Sequence, residues 1–159
     1  MIICSTSRFA HKEKGGELDD LSGDLIVQTL TESGHKIISH VLIPDEPVMI
    51  KNSIEEALNQ KEVNAVVVSG GTGIAPKDLT IETVAPMFSK TLPGFGELFR
   101  KLSYDAIGSA AIMSRATSGI IDGKAVFCIP GSINAVRLCL NKLILPEAGH
   151  IVKHSREKP

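Results

Sequence analysis

A strongly apolar segment that ends in a run of glycines constrains the fold of this chain more than any other feature. Residues 63–70, VNAVVVSG, are rich in β-branched side chains and continue directly into Gly71, Thr72 and Gly73. An uninterrupted apolar run of this kind is typical of a central strand of a parallel sheet, because helices cover both of its faces. In such sheets ligands bind beyond the carboxyl ends of the strands. The segment therefore predicts a parallel α/β sheet with a candidate binding turn at one edge.

Helix-type and strand-type patterns alternate along the rest of the chain. Further strands are predicted at residues 1–7 and 36–43, and a hairpin is predicted at 117–129 around the Asp122-Gly123 turn. Helices are predicted to begin near Asp20 and Ser22, at Pro47 and near residues 80, 94 and 133. Strands that are separated by helices predict a three-layer α/β/α fold with a mostly parallel sheet.

Two parts of the chain carry weaker patterns. Residues 9–17 are rich in glycine and charge and are interpreted as a loop. The last helix is expected to stop before Pro146, and the tail at residues 148–159 is expected to be frayed or to lie over the surface.

Length, charge and cysteine usage narrow the class of protein. A chain of 159 residues predicts a single domain over 1–159, and a net charge of −1 provides no general attraction for nucleic acid. The three cysteines lack a CxxC spacing and lie in apolar runs, which indicates buried thiols in a reducing compartment. No apolar run is long enough for a membrane helix, and the first residues do not resemble a signal peptide. We therefore expect a cytoplasmic protein that binds neither membranes nor nucleic acid.

The glycine turn has two possible roles. Gly70, Gly71 and Gly73 allow positive φ angles and close approach to the backbone, so the N–H groups around Thr72 can form an anion-binding nest. The same residues also fit a tight strand-to-helix turn without a ligand. The P-loop and dinucleotide-binding glycine patterns are both excluded, because their characteristic residues are not at the required spacing.

Two carboxylates follow strand ends and could serve this turn. Asp78 lies close after the glycines, and Asp20 lies at the matching position after the first strand. Each carboxylate could cap the helix that follows it, or the two could hold Mg²⁺ together with a substrate phosphate. Spacing alone leaves these alternatives open.

Five motifs together resemble the MoaB/Mog family of molybdenum-cofactor biosynthesis proteins, and more closely its MoaB branch. They are DDLSG at 19–23, SGGTGIAPKDLT at 69–80, GFGELFR at 94–100, SRATSG at 114–119 and IPGSINAV at 129–136. Their order and spacing follow the family over most of the chain.

The resemblance implies an enzyme, a molybdopterin adenylyltransferase that uses ATP and Mg²⁺. It implies that the catalytic residues and metal ligands are Asp20 and Asp78. It also implies a set of residues that bind the substrates: Ser22, Gly70, Gly71, Thr72, Gly73, Ser114, Arg115, Gly131 and Ser132. From the residues alone, Arg115 also fits an ion pair and Ser132 a helix cap.

The resemblance further implies a homotrimer or a hexamer built from two trimers, and a separate partner protein that inserts the metal. Two alternative functions stay open. One is a catalytically silent molybdopterin-binding oligomer of the same pathway, and the other is a nucleotide pyrophosphatase on the same domain.

Overall fold

The computed structural model describes residues 1–16 and 20–157 as a mixed six-stranded sheet between two layers of helices. The strands are β1 (Ile2–Cys4), β2 (Val41–Ile43), β3 (Ala65–Ser69), β4 (Lys90–Thr91), β5 (Thr117–Ile121) and β6 (Lys124–Ile129). The α-helices are α1 (Thr6–Glu13), α2 (Leu21–Glu32), α3 (Pro47–Asn59), α4 (Thr80–Val84), α5 (Pro93–Ile107), α6 (Ile133–Cys139) and α7 (Leu145–Ser155). The predicted three-layer α/β/α class is confirmed.

The strand order is β2-β1-β3-β6-β5-β4. The four strands β2, β1, β3 and β6 are parallel, whereas β5 pairs antiparallel with both of its neighbours, β6 and β4. The predicted hairpin is confirmed, since β5 and β6 are joined through Asp122 and Gly123, whose φ angles are +50° and +71°. Positive φ at both central positions matches the right-handed twist of the strands.

Each face of the sheet carries its own apolar core. Along β6, Phe127 packs into one core with helices α2, α5, α6 and α7, and Cys128 packs into the other with α3 and α4. Successive side chains on a strand point to opposite faces, so a strand that is covered on both sides has no polar alternation. The predicted burial of all three cysteines is also confirmed.

The loop predicted at 9–17 is wrong over most of its length, because α1 spans Thr6–Glu13. The Ser5 side chain accepts a hydrogen bond from the Arg8 N–H and caps this helix, but the helix buries none of its residues. A helix without a buried apolar stripe leaves no periodic signal in the sequence. Glu17, at the end of the predicted loop, lies outside the described residues.

The predicted strand 36–43 is shorter in the structure, where only Val41–Ile43 pairs with β1. The two-residue strand β4 at the other edge of the sheet is not predicted from the sequence. Within the described ranges, no helix is both long and apolar enough to cross a membrane.

The predicted stop before Pro146 is wrong, and so is the predicted fraying over residues 148–155. A π-helical segment, Leu140–Ile144, connects α6 to α7, and Pro146 lies in the first turn of α7, where its missing N–H is tolerated. Ala148 is buried, and Ile151 and Val152 pack against the core. This apolar contact holds the last helix on the sheet. Residues 158–159 lie outside the described part of the chain.

Candidate active site

The carboxyl ends of three neighbouring strands meet at one edge of the sheet. The turn after β3 touches the turn after β6, since the Gly70 N–H donates to the Ile129 carbonyl at 3.0 Å. A Cβ on Gly131 would lie 3.4 Å from the Gly70 Cα. On its other side, Gly70 packs against the Cys4 carbonyl at the end of β1. The edge predicted to carry the site therefore brings distant parts of the sequence into contact.

Backbone conformation explains two of the glycines in the turn. Gly70 and Gly71 have φ angles of +105° and +61°, which side chains with a Cβ rarely adopt. Neither position has room for a Cβ, because it would meet neighbouring atoms in both cases. Thr72 is buried in the same turn. The glycines therefore serve the tight turn that was one of the two alternatives, while the backbone of the turn stays at the carboxyl edge of the sheet.

Asp78 folds back onto the turn. Its Oδ2 accepts a hydrogen bond from the Ala75 N–H at 2.9 Å and would lie 2.6 Å from a Cβ on Gly73. Helix α4 begins after Leu79 without a side-chain cap. The capping role considered for Asp78 is therefore wrong, and the carboxylate is directed at the glycine turn.

Asp20 has a different environment. It caps α2, with Oδ1 accepting from the Gly23 N–H at 3.0 Å and from Arg8 at 2.7 Å. The His40 Nε2 lies 3.6 Å from Oδ2. Arg8, Gly23 and His40 therefore surround this carboxylate. The capping alternative for this residue is confirmed, and its contacts do not include Asp78. Asp19, at the start of the same motif, lies outside the described residues.

Asp45 is a carboxylate of the site that the sequence analysis missed. It follows β2, and its Oδ2 accepts hydrogen bonds from Thr6 at 2.8 Å from N and 3.0 Å from Oγ1. Its Oδ1 would lie 2.5 Å from a Cβ on Gly71 and has no hydrogen-bond partner among the described residues. The PDEP sequence directly after a parallel strand was the available signal, because it places a carboxylate at the same sheet edge as the glycine turn.

Ser22 and Ser132 both lie at the turn after β6, which contains Gly131. The Ser22 hydroxyl donates to the Gly131 carbonyl at 2.7 Å and so attaches the start of α2 to the turn after β6. Ser132 is the N-cap residue of α6, but its exposed side chain makes no capping hydrogen bond. Ser22 is thus committed to the protein, whereas the Ser132 hydroxyl faces solvent at the site.

Arg115 joins the glycine turn to α4. Its Nε donates to the Thr72 carbonyl at 2.9 Å, and its other two nitrogens reach both oxygens of Glu82 at 2.7 and 3.1 Å. These hydrogen bonds hold the pKa of the Glu82 carboxyl below its usual range. The ion pair lies within the chain, whereas the alternative considered for Arg115 was a surface cation or an ion pair at a subunit interface. The preceding Ser114 is half-buried, and its N–H donates to the Ala111 carbonyl at 3.0 Å.

The amino ends of α1, α2, α4 and α6 lie at this edge of the sheet. The Thr6 N–H at the start of α1 points to Asp45, the Thr80 N–H at the start of α4 donates to Gly71, and α2 and α6 begin beside Gly131. The amino ends of helices carry partial positive charge and unpaired N–H groups, both of which favour anions. Carboxylates placed among such groups can be balanced by a cation that accompanies an anionic ligand.

A metal ion at this edge would depend on few protein ligands. No three His, Cys, Asp or Glu side chains within residues 1–16 and 20–157 are grouped closely enough to hold one. Mg²⁺ commonly uses only one or two carboxylates, with water and substrate phosphates completing its shell. Asp45 and Asp78, which both contact the glycine turn, fit that requirement.

Fold and site together define a class of α/β protein with a candidate binding site at the carboxyl edge of a mostly parallel sheet. Residues 1–150 match the family described as "Probable molybdopterin binding domain". The chain therefore belongs to this family of molybdopterin-binding domains.

Named relatives narrow the comparison. The chain is 50% identical over 139 residues to "Molybdenum cofactor biosynthesis protein B" of Bacillus subtilis, an alignment that covers 87% of this chain and 82% of the relative. It is 41% identical to "Probable molybdopterin adenylyltransferase" of Methanocaldococcus jannaschii, covering 99% of this chain and 93% of the relative. A solved structure described as "Crystal structure of Molybdenum cofactor biosynthesis protein B" superposes with a TM-score of 0.90 at 42% identity, covering 99% and 94% of the two chains. The MoaB/Mog resemblance is confirmed.

Proposed function

We propose that this protein is a molybdopterin adenylyltransferase of molybdenum cofactor biosynthesis and that it uses Mg²⁺ and ATP. The observation that carries the proposal is a glycine turn flanked by Asp45 and Asp78 where the amino ends of several helices meet. Relatives at 41 and 42% identity are named as molybdopterin adenylyltransferases.

The proposed reaction transfers the adenylyl group of ATP to the terminal phosphate of molybdopterin. An oxygen of the terminal phosphate of molybdopterin attacks the α-phosphorus of ATP, the bond from that phosphorus to the bridging oxygen breaks, and pyrophosphate leaves. Both substrates are polyanions, so the protein must bring them together and stabilise charge at the reacting phosphorus. The N–H groups of residues 70–73 and the start of α6 at Ser132 are the proposed contacts for phosphate oxygens.

Mg²⁺, when bound, would neutralise part of this charge. We assign it to Asp78 and Asp45, because each carboxylate has an oxygen that accepts no hydrogen bond from the described residues. In the proposed site Asp20 has a structural role. Its contacts with Arg8 and Gly23 fix the amino end of α2, so we do not assign it to the ion. Arg115 likewise anchors the turn, with Glu82 and Thr72 as its partners. Ser114 and Gly131 complete the proposed substrate contacts, and Ser22 supports them by holding the turn after β6 in place.

We further propose that the chain functions as a homotrimer or as a dimer of trimers. Five large apolar side chains on and after α5 are more than half exposed: Leu98, Tyr104, Ile107, Ile112 and Met113. Apolar side chains that cluster on one helix and the segment after it are typical of a contact surface. Light scattering at micromolar concentration would give a single protomer mass if this assembly is wrong. We also propose a cytoplasmic location and a separate metal-insertion protein as the recipient of the product.

The test is pyrophosphate release from ATP in the presence of molybdopterin and Mg²⁺. We expect release by the wild type, loss on addition of EDTA, and at least a hundredfold lower kcat for Asp78→Asn and Asp45→Asn, as is common when charge stabilisation is removed. Asp122→Asn is the matched control, because Asp122 lies in the hairpin turn that begins β6, at the end opposite to the site.

The outcomes separate the three candidate functions. Molybdopterin binding without pyrophosphate release would favour the silent oligomer, and hydrolysis of FAD or ADP-ribose without molybdopterin would favour the pyrophosphatase. Equal activity of Asp78→Asn and wild type would show that Asp78 does not hold a metal ion needed for the reaction.

A further inference from the structure

The GFGELFR motif at residues 94–100 forms the first half of α5 and contains none of the proposed site residues. Its two phenylalanines, Phe95 and Phe99, are buried in the core, whereas Arg100 is exposed. Burial of apolar surface explains the phenylalanines, but it explains neither a glycine nor an arginine on the same helix. Gly96 and Arg100 therefore require a separate explanation.

Gly96 allows α5 to lie very close to the segment before β5. A Cβ on this residue would lie 2.6 Å from the Ala116 carbonyl oxygen, which is too close for any side chain. Ala116 follows Ser114 and Arg115, and Arg115 donates to the Thr72 carbonyl in the glycine turn. The first turns of α5 are therefore fixed beside a segment of the proposed site.

The Arg100 side chain folds back over this close contact. Its Nη1 lies 3.6 Å from the Cβ position on Gly96, one helical turn earlier, as expected for side chains that lean toward the amino end of a helix. The Leu92 N–H, just before α5, donates to the Ser118 carbonyl near the start of β5. Because β5 runs antiparallel to β6, its start lies at the carboxyl edge of the sheet. The Arg100 guanidinium therefore lies toward the edge that carries the glycine turn.

The positive charge of Arg100 is available for a ligand. Arg8 and Arg115, which lie at the same edge, each form an ion pair at 2.7 Å with a carboxylate of the chain. Arg100 forms no ion pair with any residue in the described part of the chain. A guanidinium presents several N–H donors in a planar fork that matches the oxygens of a phosphate.

We propose that Arg100 binds a phosphate group of a substrate beside the start of β5, and that Gly96 allows α5 to place it there. This inference rests on the proposed adenylyl transfer. Asp45 and Asp78, which are assigned to Mg²⁺, contact the turn after β3, and β6 lies between β3 and β5. Two strand spacings of about 4.8 Å therefore separate Arg100 from the turn that carries the ion. Because Mg²⁺ accompanies the nucleotide phosphates, the terminal phosphate of molybdopterin is the expected partner of Arg100.

The experiment compares Arg100→Gln, which removes the charge, with Arg100→Lys, which keeps the charge but not the planar fork. Lys101→Gln is the matched control, because Lys101 is an exposed cation on the same helix and consecutive helix residues point about 100° apart. In the assay of pyrophosphate release we expect Arg100→Gln to raise KM for molybdopterin by about ten- to a hundredfold, as for the loss of a hydrogen bond between charged groups. Arg100→Lys should recover part of this loss, and Lys101→Gln should keep the wild-type KM for both substrates.

The source of the phosphate follows from which KM rises. A rise confined to molybdopterin supports the terminal phosphate, and a rise confined to ATP supports the same contact with a nucleotide phosphate. Wild-type KM for both substrates in Arg100→Gln would overturn the inference, whatever the value of kcat.

A contact between protomers is the competing role for Arg100. Tyr104 lies one turn further along α5 and is one of the exposed side chains proposed for the assembly surface. Light scattering of Arg100→Gln separates the two roles, and we expect the same mass as for the wild type. A smaller mass would assign Arg100 to the assembly and overturn the inference.

Equilibrium binding separates this inference from the proposed function. Titration with molybdopterin, or with ATP and Mg²⁺, in the absence of the other substrate gives Kd without turnover. An inactive wild type whose affinity for either ligand falls about ten- to a hundredfold in Arg100→Gln would reject adenylyl transfer but support the phosphate contact. An active wild type whose affinities are unchanged in Arg100→Gln would reject the contact alone, and a wild type that binds neither ligand would reject both.

Discussion

Replacing Gly70 by alanine is expected to destabilise the protein strongly. Gly70 has a φ angle of +105°, and an added Cβ would meet the Cys4 carbonyl oxygen at the end of β1. That oxygen belongs to a strand that is paired with β2 on one side and β3 on the other, so it cannot move away cheaply. Strained backbone at such a position costs about 1–3 kcal/mol. Steric overlap in a packed interior adds a further cost of about 1–3 kcal/mol.

The expected loss in the free energy of unfolding is therefore about 2–6 kcal/mol, out of about 5–15 kcal/mol for a typical domain. For a chain of this length each kcal/mol corresponds to about 2–4 °C in Tm. Equilibrium urea unfolding followed by circular dichroism measures the loss directly. The protein concentration must be held constant, because assembly would contribute to apparent stability.

Two other glycines provide matched controls. Gly131 has no positive φ, and a Cβ there would lie at an ordinary contact distance of 3.4 Å from Gly70. Gly149 lies on α7 with open space around it, so alanine should stabilise this helix by about 0.5–1 kcal/mol. The reasoning is refuted if Gly70→Ala unfolds within about 1 kcal/mol of the wild type, or if Gly131→Ala is equally destabilised.

Two further predictions concern titratable groups. Burial raises the pKa of the thiols of Cys4, Cys128 and Cys139, to about 12 for Cys4 and Cys139. These thiols should not react with a disulfide reagent at pH 8 until the chain is unfolded, and rapid labelling of the native protein would contradict this expectation. The stability that their neutral form confers should fall as the pH rises above the ordinary thiol pKa of 9.0. The Arg115 hydrogen bonds lower the pKa of Glu82, so their contribution is present above the ordinary value of 4.5 and is lost as the pH falls below it. Because the pair is largely exposed, Glu82→Gln should lower the free energy of unfolding by at most about 1 kcal/mol in urea at pH 7, and should not lower it at pH 3. An equal loss at both pH values would show that the ion pair is not its source.

Much of the fold could be predicted from local patterns. The apolar run before Gly70 indicates a two-sided central strand, and Pro47 and the Asp122-Gly123 turn mark a helix start and a hairpin at the observed positions. Each of these signals depends on neighbouring residues only: backbone conformations, side-chain periods or a missing N–H.

Other elements depend on tertiary contacts. The helix from residue 133 to 155 continues past Pro146 because a π-helical segment precedes the proline and the core holds α7 in place. Helix α1 buries no side chain and therefore shows no apolar period. Leu98 on α5 is exposed, whereas Phe95 and Phe99 on the same helix are buried in the core.

The sequence by itself determined the fold class, through the alternation of helix and strand patterns, and it placed Asp78 near the glycine turn, because both lie in one short segment. Only the tertiary structure shows which second carboxylate contacts the glycine turn. Asp20 is held by Arg8 and by its own helix, whereas Asp45, 26 residues before Gly71, reaches the turn because β2 and β3 flank β1 in the sheet. Strand order is set by pairings between distant segments, and no local pattern carries that information.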